Sequence, residues 1–204
     1  MPRGQRRRRE LLAVAERILL RQGFAETTMQ RVAEEAGASK ETLYRHFRSK
    51  DDLIIEIVLA RTEDLRVTLE ANFDSGAGLA DVLRNLGRTL LQAMSGPEVI
   101  ALLRIVVTET VGNPALGLAL YTAGPERTNR WLTAYLEASE RRGEFRGEDP
   151  ALAASLFIGA VMGNETIMNL LRPPDHPMTA QRIERRVEAA VALFLARYAR
   201  PSGA

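Results

Sequence analysis

A cluster of cationic and polar side chains in the first quarter of the chain has the composition needed to recognise nucleic acid. Lys40, Thr42, Tyr44, Arg45 and His46 follow one another in quick succession. A lysine ammonium group can donate to guanine O6 and N7, and a threonine can meet a base edge or a thymine methyl group. These side chains can act together only if a short helix presents them on one outward edge.

Two short helices joined by a glycine turn are predicted to carry this cluster. Thr27 and Gln30 are spaced as a capping box, which predicts a helix start. Gly37 suits the left-handed residue that ends such a helix, and Ser39 can cap the next one. The pair forms a helix-turn-helix, whose second helix fits the major groove of DNA. The apolar stripe of the first helix consists of Met29, Val32, Ala33 and Ala36.

The distribution of charge supports a nucleic-acid partner. Residues 1–50 carry 12 Lys and Arg against 6 Asp and Glu, a net charge of +6, whereas residues 51–204 carry 16 against 20, a net of −4. Each cation that neutralises a phosphate releases condensed counterions, so a concentrated basic segment is typical of DNA-binding proteins. The run from Arg6 to Arg9 could equally be a solvated tail, but the motif directly behind it favours DNA.

Composition argues against several other classes of protein. No cysteine is present, which removes disulfides, thiolate zinc sites and cysteine nucleophiles. His46 and His176 have no companions at ligand spacing, so we predict no metal and no other cofactor. No apolar run approaches the ~18 residues of a membrane span. Glu10, Glu16 and Arg17 interrupt the first apolar segment, which argues against a signal peptide and favours a cytoplasmic location.

The spacing of apolar residues predicts an all-α protein, because no segment shows sustained period-two alternation. At 204 residues and 46% apolar content, the chain can bury one or two helical cores. Residues 113–124 are predicted as a short helix or an irregular connection. Helices are predicted at residues 5–22, 28–35, 39–46, 50–72, 78–95, 97–111, 124–142, 150–171 and 179–199.

The long fourth helix is predicted to join two domains. It begins at Lys50, and Asp51 and Asp52 follow, where carboxylates suit the positive end of the helix dipole. We therefore expect a three-helix DNA-binding domain at residues 1–50 and a helical ligand-binding and dimerisation domain at residues 51–204. The boundary then falls inside a helix.

The run S-K-x-T-L-Y-x-H-F-x-S-K at residues 39–50, followed by an acidic pair and Leu53, is a specific signature. Together with residues upstream of it, this run resembles the DNA-binding domain of TetR/AcrR-type bacterial transcriptional regulators over about residues 8–58. Residues 97–163 resemble, more generally, C-terminal domains of the AefR-like branch. The upstream matches are Ala13, Ala15, Ile18, Gly23, Phe24, Thr27, Thr28, Val32, Ala33, Gly37 and Ala38.

The resemblance implies a role for each polar residue of the second short helix. Tyr44 and His46 would hold phosphates, although Tyr44 could instead pack and His46 could lie free on the surface. Glu41 stands where many relatives carry a small residue; it could accept from cytosine N4 or simply be exposed. Leu43 and Phe47 are assigned to the core. The predicted DNA contacts are Thr28, Ser39, Lys40, Glu41, Thr42, Tyr44, Arg45, His46 and Lys50.

A homodimer is predicted because two half-sites on one face of DNA require two DNA-binding domains. The last two long helices could form a four-helix bundle between subunits, with small residues permitting close approach. Either helix could instead belong to the core of its own chain. The predicted interface residues are Leu152, Leu156, Gly159, Gly163, Ile183, Val187, Val191 and Phe194.

A small-molecule effector site is predicted among the helices between residues 60 and 170. Its apolar surroundings favour a hydrophobic or amphipathic ligand. The same positions could instead belong to the surface or to an interface. The candidates, polar or bulky for a plain core, are Arg104, Thr108, Tyr121, Trp131 and Asn164.

Two classes of DNA-binding function follow from the sequence. The first is a ligand-responsive dimeric repressor that binds a palindromic operator. The second is an architectural or nucleoid-type protein that ignores ligands and discriminates little between sequences. An enzyme is disfavoured, because the sequence has no metal-ligand cluster, no glycine-rich phosphate loop and no recognisable acid/base pair.

Overall fold

The computed structural model describes residues 3–71, 77–172 and 178–199, and within these ranges it contains helices and no strand. This result confirms the all-α prediction. A π-helical turn, Thr122–Glu126, leads directly into α8. The α-helices are α1 Arg3–Glu26, α2 Met29–Glu35, α3 Lys40–His46, α4 Lys50–Ala71, α5 Leu79–Ala93, α6 Pro97–Glu109, α7 Pro114–Tyr121, α8 Arg127–Arg141, α9 Pro150–Met162, α10 Glu165–Leu171 and α11 Ala180–Tyr198.

The chain packs as two compact units. The first comprises Met1–Glu63 and Ala101–Ala123, and the second comprises Asp64–Ile100 and Gly124–Ala204. Helix α4 contributes to both units. Residues 101–123, which the sequence analysis grouped with the C-terminal bundle, therefore pack in the same unit as the helix-turn-helix.

The core of the first unit fixes the position of α3. Leu43 and Phe47 are completely buried, as predicted, among apolar residues of α1, α2 and α4. Burying a side chain of this size contributes about 1.5–3 kcal/mol relative to leaving it exposed. Leu102 and Leu116, from the later segment of the chain, belong to the same core. Leu43 and the C-cap residue Phe47 therefore determine which face of α3 points outward.

The start of α2 differs from the predicted capping box by one residue. Thr28, not Thr27, is the N-cap, and its hydroxyl accepts from the backbone N–H of Arg31 at 3.2 Å. Thr27 is completely buried, and its hydroxyl donates to the carbonyl of Gly23 at 2.8 Å. Gln30 donates to Glu34 instead of reaching back to a cap. The adjacent threonines thus divide capping and packing between them.

The second unit is built on α5, α8, α9 and α11. Helix α5 is strongly amphipathic, and its buried leucines pack against α9 and α11. Gly87 permits the approach to α11, because a Cβ atom there would lie 3.2 Å from both methyl groups of Val187. At the C-terminal end of α11, Phe194 stacks with Phe145 and meets the edge of Phe157. These contacts place one face of α9 and one face of α11 in the core.

The single helix predicted over residues 150–171 is wrong, because the helix breaks between α9 and α10. Gly163 adopts φ 47° and ψ −133°, a conformation that ends α9. The guanidinium group of Arg186 occupies the space that a side chain at position 163 would need. This group donates to the carbonyls of Ala160 and Val161. A second arginine of α11, Arg182, pairs with Glu165 of α10 at 3.4 Å. Two features therefore stabilise the break: the backbone conformation of Gly163, and the hydrogen bonds from Arg186 to carbonyls in the last turn of α9.

Ion pairs link the exposed edges of α5 and α11. Arg84 donates to Glu188 at 3.0 Å, and Arg88 donates through Nε to Glu184 at 2.8 Å. The hydrogen bond from Arg88 lowers the pKa of Glu184 below its ordinary 4.5. A carboxyl with a lowered folded-state pKa stabilises the fold above its unfolded pKa, and this contribution disappears as the pH falls through the folded value.

We therefore expect Glu184→Gln to destabilise the chain at neutral pH and to do so progressively less below about pH 4.5. Thermal unfolding of both proteins between pH 7 and pH 3 measures the difference. The effect should be small and should shrink in high salt, because the pair is exposed. A difference in stability that stays constant over this range would contradict the assigned pair.

Within the described ranges, no single helix is long and apolar enough to cross a bilayer. Two consecutive pairs, α5 with α6 and α9 with α10, have the combined length and composition but bend by 73° and 41° at their junctions.

Candidate nucleic-acid interface

Helix α3 is set by its two ends. Gly37 adopts φ 57° in the turn that follows α2, as its left-handed assignment predicted. Ser39 is the N-cap, and its hydroxyl oxygen accepts from the backbone N–H of Thr42 at 3.1 Å. The hydroxyl groups of these two residues also lie 2.9 Å apart. The predicted cap is confirmed, and α3 starts where the polar cluster begins.

The structure brings the predicted contact residues of α3 to its outward side. Lys40, Glu41 and Arg45 are exposed, and half of the surface of Tyr44 is accessible. Thr42 is half-buried beside its cap. This arrangement leaves several donors and one carboxylate on a helix whose opposite face packs in the core.

An ion pair lies on the outward side of α3. Nη2 of Arg45 donates to Oε1 of Glu41 at 3.1 Å, one helical turn away. His46 is half-buried, with its ring centroid 6.3 Å from that of Phe47. Glu41, whose role the sequence left open, is therefore paired with Arg45 of the same helix.

Apart from the cap residue Ser39, the candidates outside α3 are Thr28 and Lys50, and both are engaged within the unit. The hydroxyl of Thr28 caps α2 while remaining exposed. Nζ of Lys50 donates to the carbonyl of Phe24 at 3.1 Å and lies 3.8 Å from the centroid of that ring. A partly buried cation–π contact of this kind is worth about 0.5–2 kcal/mol. Lys50 thus links the start of α4 to the end of α1 through a hydrogen bond and a cation–π contact.

Two arginines of the N-terminal run belong to the fold, a role that sequence reasoning missed. Arg7 donates to the carbonyl oxygens of Ala36 and Gly37 at 3.0 and 3.4 Å, at the turn before α3. Arg8 pairs with Glu56 of α4 at 2.8 Å and lies over the ring of Phe47. The run lies inside the helix predicted at residues 5–22, and helical spacing from the buried Leu11 could have indicated that Arg7 and Arg8 face the fold.

The predicted dimer residues fall into two groups. Leu152, Leu156, Gly159 and Gly163 are exposed on α9 and at its end. The second group is buried in the core of its own unit, which is the alternative that the sequence left open; these residues are Ile183, Val187, Val191 and Phe194. The outward face of α11 instead carries Ala189, Ala192, Leu193 and Ala196.

The effector candidates are divided between the units. Arg104 and Thr108 lie on α6 and Tyr121 ends α7, all within the first unit. Trp131 stacks on Tyr135 in the second unit, with 5.7 Å between ring centroids. Asn164 is exposed between α9 and α10.

A groove of about 340 Å³ lies beside α10 and α11, and none of the five candidates lines it. Its lining residues are Glu165, Met178, Arg182, Arg185, Arg186 and Ala189. Two of the three arginines already pair with Glu165. Among the residues that the structure describes, no group of three His, Asp or Glu side chains could hold a metal ion, and His176 lies outside those residues.

A short capped helix with an exposed cationic edge, set behind a glycine turn, defines a helix-turn-helix DNA-binding protein. Two family models match the chain. The model for bacterial regulatory proteins of the tetR family covers residues 11–57, and that for the AefR-like transcriptional repressor C-terminal domain covers residues 81–200. The chain belongs to the TetR family of transcriptional regulators and to its AefR-like branch.

Individual relatives agree with this assignment. A putative TetR-family regulator from Mesorhizobium loti has a TM-score of 0.89 and 28% identity, over 98% of this chain and 100% of that structure. The flavonoid-responsive regulator FrrA has a TM-score of 0.81 and 31% identity, over 97% and 100%. The transcriptional regulator TcmR of Streptomyces glaucescens is 32% identical over 67% of this chain. That alignment spans only 55% of the length of TcmR.

Proposed function

We propose that the chain is a dimeric repressor that binds a palindromic operator in the cytoplasm and releases it when a small molecule binds. The observation that carries the proposal is the outward edge of α3, where Lys40, Tyr44 and Arg45 are exposed over a buried Leu43. The net charge of +6 on residues 1–50 supports the same partner. Residues 1–50 act as the DNA-binding domain, and residues 51–204 as the ligand-binding and dimerisation domain.

The contacts with DNA divide by chemistry. Lys40 stands at the start of α3, the end of a recognition helix that reaches base edges, so it donates to a guanine. Thr42 meets a base or a methyl group from the same turn. Tyr44 and His46 hold phosphates, which sets the register of the helix without reading sequence. Thr28 and Ser39, the exposed N-cap residues of α2 and α3, are proposed as further contacts.

The dimer is proposed to form through the outward faces of α9 and α11, each of which carries exposed apolar residues. Slightly more than half of the surfaces of Leu152 and Leu156 is accessible in the single chain. Gly159 and the exposed alanines of α11 offer small surfaces that let a second copy approach closely. Two-fold symmetry pairs this face with itself and presents two α3 helices to the two half-sites.

The effector is proposed to be a hydrophobic or amphipathic small molecule. One structural relative is described as flavonoid-responsive, a name consistent with such a ligand. To release the operator, the ligand must bind the non-binding conformer more tightly, because equal affinity for both would shift nothing. The candidate ligand contacts are Arg104, Thr108 and Tyr121 in the first unit or Trp131 and Asn164 in the second.

We expect Lys40→Ala and Tyr44→Ala each to weaken binding to DNA from the gene's own upstream region by about tenfold or more, while the fold is retained. A gel-shift series in rising salt should also show a slope reduced by about one for a variant that loses a phosphate contact. Arg141→Ala is the matched control, because it removes one exposed cation from α8 in the second unit.

If Lys40→Ala and Tyr44→Ala both bind DNA normally, α3 is not the helix that contacts the DNA. Equal affinity of the unchanged chain for its upstream DNA and for random duplex would indicate the architectural class. A specific regulator should prefer its site by about a thousandfold or more. Titrating candidate ligands into the preformed complex then tests release.

A further inference from the structure

We infer that Glu41 is a specificity-determining residue that selects a cytosine in each half-site, with Arg45 as the residue that positions it. The inference rests on the proposed entry of α3 into the major groove. It concerns the one carboxylate on an otherwise cationic recognition helix.

The geometry of α3 places this pair at the centre of the outward face. Successive residues of an α-helix are rotated by about 100°, so Glu41 and Arg45 lie about 160° and 200° from the buried Leu43. Lys40 and Tyr44 lie about 60° and 100° from it, toward one flank. The side chains of the pair are 85% and 66% exposed. When the face opposite Leu43 enters a groove, the pair reaches deepest.

The carboxylate of Glu41 also lies in the first turn of α3. In helix-turn-helix proteins the N-terminal residues of the recognition helix contact base edges. An acid at this place is repelled by both phosphate backbones, so it lowers affinity for DNA unless it meets a donor. Its presence at the deepest position therefore favours one kind of base over the others.

The major-groove edge of cytosine is the one that suits an ionised carboxylate. Cytosine presents the N4 amino donor, whereas guanine and thymine present acceptors. Adenine has an amino donor too, but its N7 acceptor lies beside that donor and faces the same carboxylate. Glu41 therefore accepts from cytosine N4 and discriminates against the other three bases.

Arg45 gives the carboxylate a fixed direction. The 3.1 Å contact from its Nη2 holds Oε1 of Glu41, which leaves Oε2 available to the amino group of a base. The pair is also neutral as a whole, so the centre of the reading face contributes little to sequence-independent attraction. Arg45 acts here through Glu41 and is a positioning residue.

The alternative role for Glu41 is purely structural: an acid in the first turn stabilises α3 through its interaction with the helix dipole. The two roles predict different results. A purely structural role lowers the melting temperature of a Glu41 variant and leaves its order of preference among bases unchanged. The specificity role changes that order at one position of the half-site.

The test measures binding to a set of operator duplexes in which every base pair of both half-sites is replaced symmetrically. For the unchanged chain we expect one cytosine whose replacement lowers affinity by about tenfold or more. Glu41→Ala and the isosteric Glu41→Gln should lose most of this preference and keep the preferences at other positions. Arg45→Ala should reduce the same preference partially.

Glu34→Ala is the matched control, because Glu34 is an exposed acid of α2, outside the reading helix. It should raise affinity for all duplexes alike, with no change of profile. A wild-type profile in folded Glu41→Ala and Glu41→Gln would overturn the inference. If Lys40→Ala and Tyr44→Ala lose binding in the same experiment, the proposed function stands while this inference falls. If they bind normally, the proposed function fails first.

Discussion

Leu156→Asp is expected to make the chain monomeric at concentrations where the unchanged chain is a dimer. Leu156 and Leu152 are both exposed on α9, and Leu193 is exposed on α11. In a symmetric interface each copy would bury one unpaired carboxylate. An uncompensated buried charge costs about 3–5 kcal/mol, so the dimer dissociation constant should rise about a thousandfold or more.

Analytical ultracentrifugation over a range of protein concentrations measures this change. The variant should also bind a full operator no better than an isolated half-site. In a dimer, binding of one DNA-binding domain raises the effective concentration of the other at its half-site, and a monomer lacks this gain. Val111→Asp is the control: it places the same charge on an apolar residue, 91% exposed, in the turn after α6. A Leu156→Asp protein that remains dimeric would rule out the α9 face as the contact.

Gly163→Ala is expected to lower the free energy of unfolding by about 2–4 kcal/mol. The backbone at Gly163 has φ 47° and ψ −133°, a region that side chains with a Cβ atom rarely adopt. The added methyl group would also collide with the guanidinium of Arg186. Displacing this group removes its hydrogen bonds to the last carbonyls of α9.

Gly159→Ala is the matched control on the same helix. A Cβ atom at Gly159 meets nothing within 4 Å in the single chain, and alanine favours a helix interior over glycine by about 1 kcal/mol. In the Leu156→Asp background, where the proposed contact between copies is absent, denaturant unfolding should therefore show Gly159→Ala as neutral or stabilising and Gly163→Ala as clearly destabilising. Equal effects of the two substitutions would contradict the role of Arg186 at the break.

Local signals were sufficient for most of the helix-turn-helix. The cap at Ser39, the left-handed Gly37 and the buried Leu43 and Phe47 each depend on residues nearby in the sequence, and the structure contains all four. The cap of α2 was misplaced because Thr27 and Thr28 offer the same hydroxyl one position apart. Burial, which no local pattern shows, decides between them.

Contacts between distant residues explain what the sequence left out. The break at Gly163 is stabilised by Arg186, which lies on α11 and is invisible to a reading of α9 alone. Hydrophobic periodicity gave the outline of α11 but could not tell whether its apolar stripe meets its own chain or a second copy. The structure assigns that stripe to the core and leaves Leu193 on the opposite face.

The effector residues were the least predictable part of the chain. They were chosen by residue type, because no spacing rule joins side chains contributed by several helices. Arg104 and Trp131 prove to lie in different units, which no periodicity could show. A ligand site made by tertiary packing has no short signature in sequence.

The anchoring of Arg7 and Arg8 changes how shortened versions of this protein should be interpreted. Deleting the first eight residues removes positive charge and, at the same time, the hydrogen bonds of Arg7 to the turn before α3 and the contact of Arg8 with Phe47. Loss of operator binding after such a deletion would therefore not identify an N-terminal arm on the DNA. Only Arg6 and Arg9, replaced one at a time, would separate the two explanations.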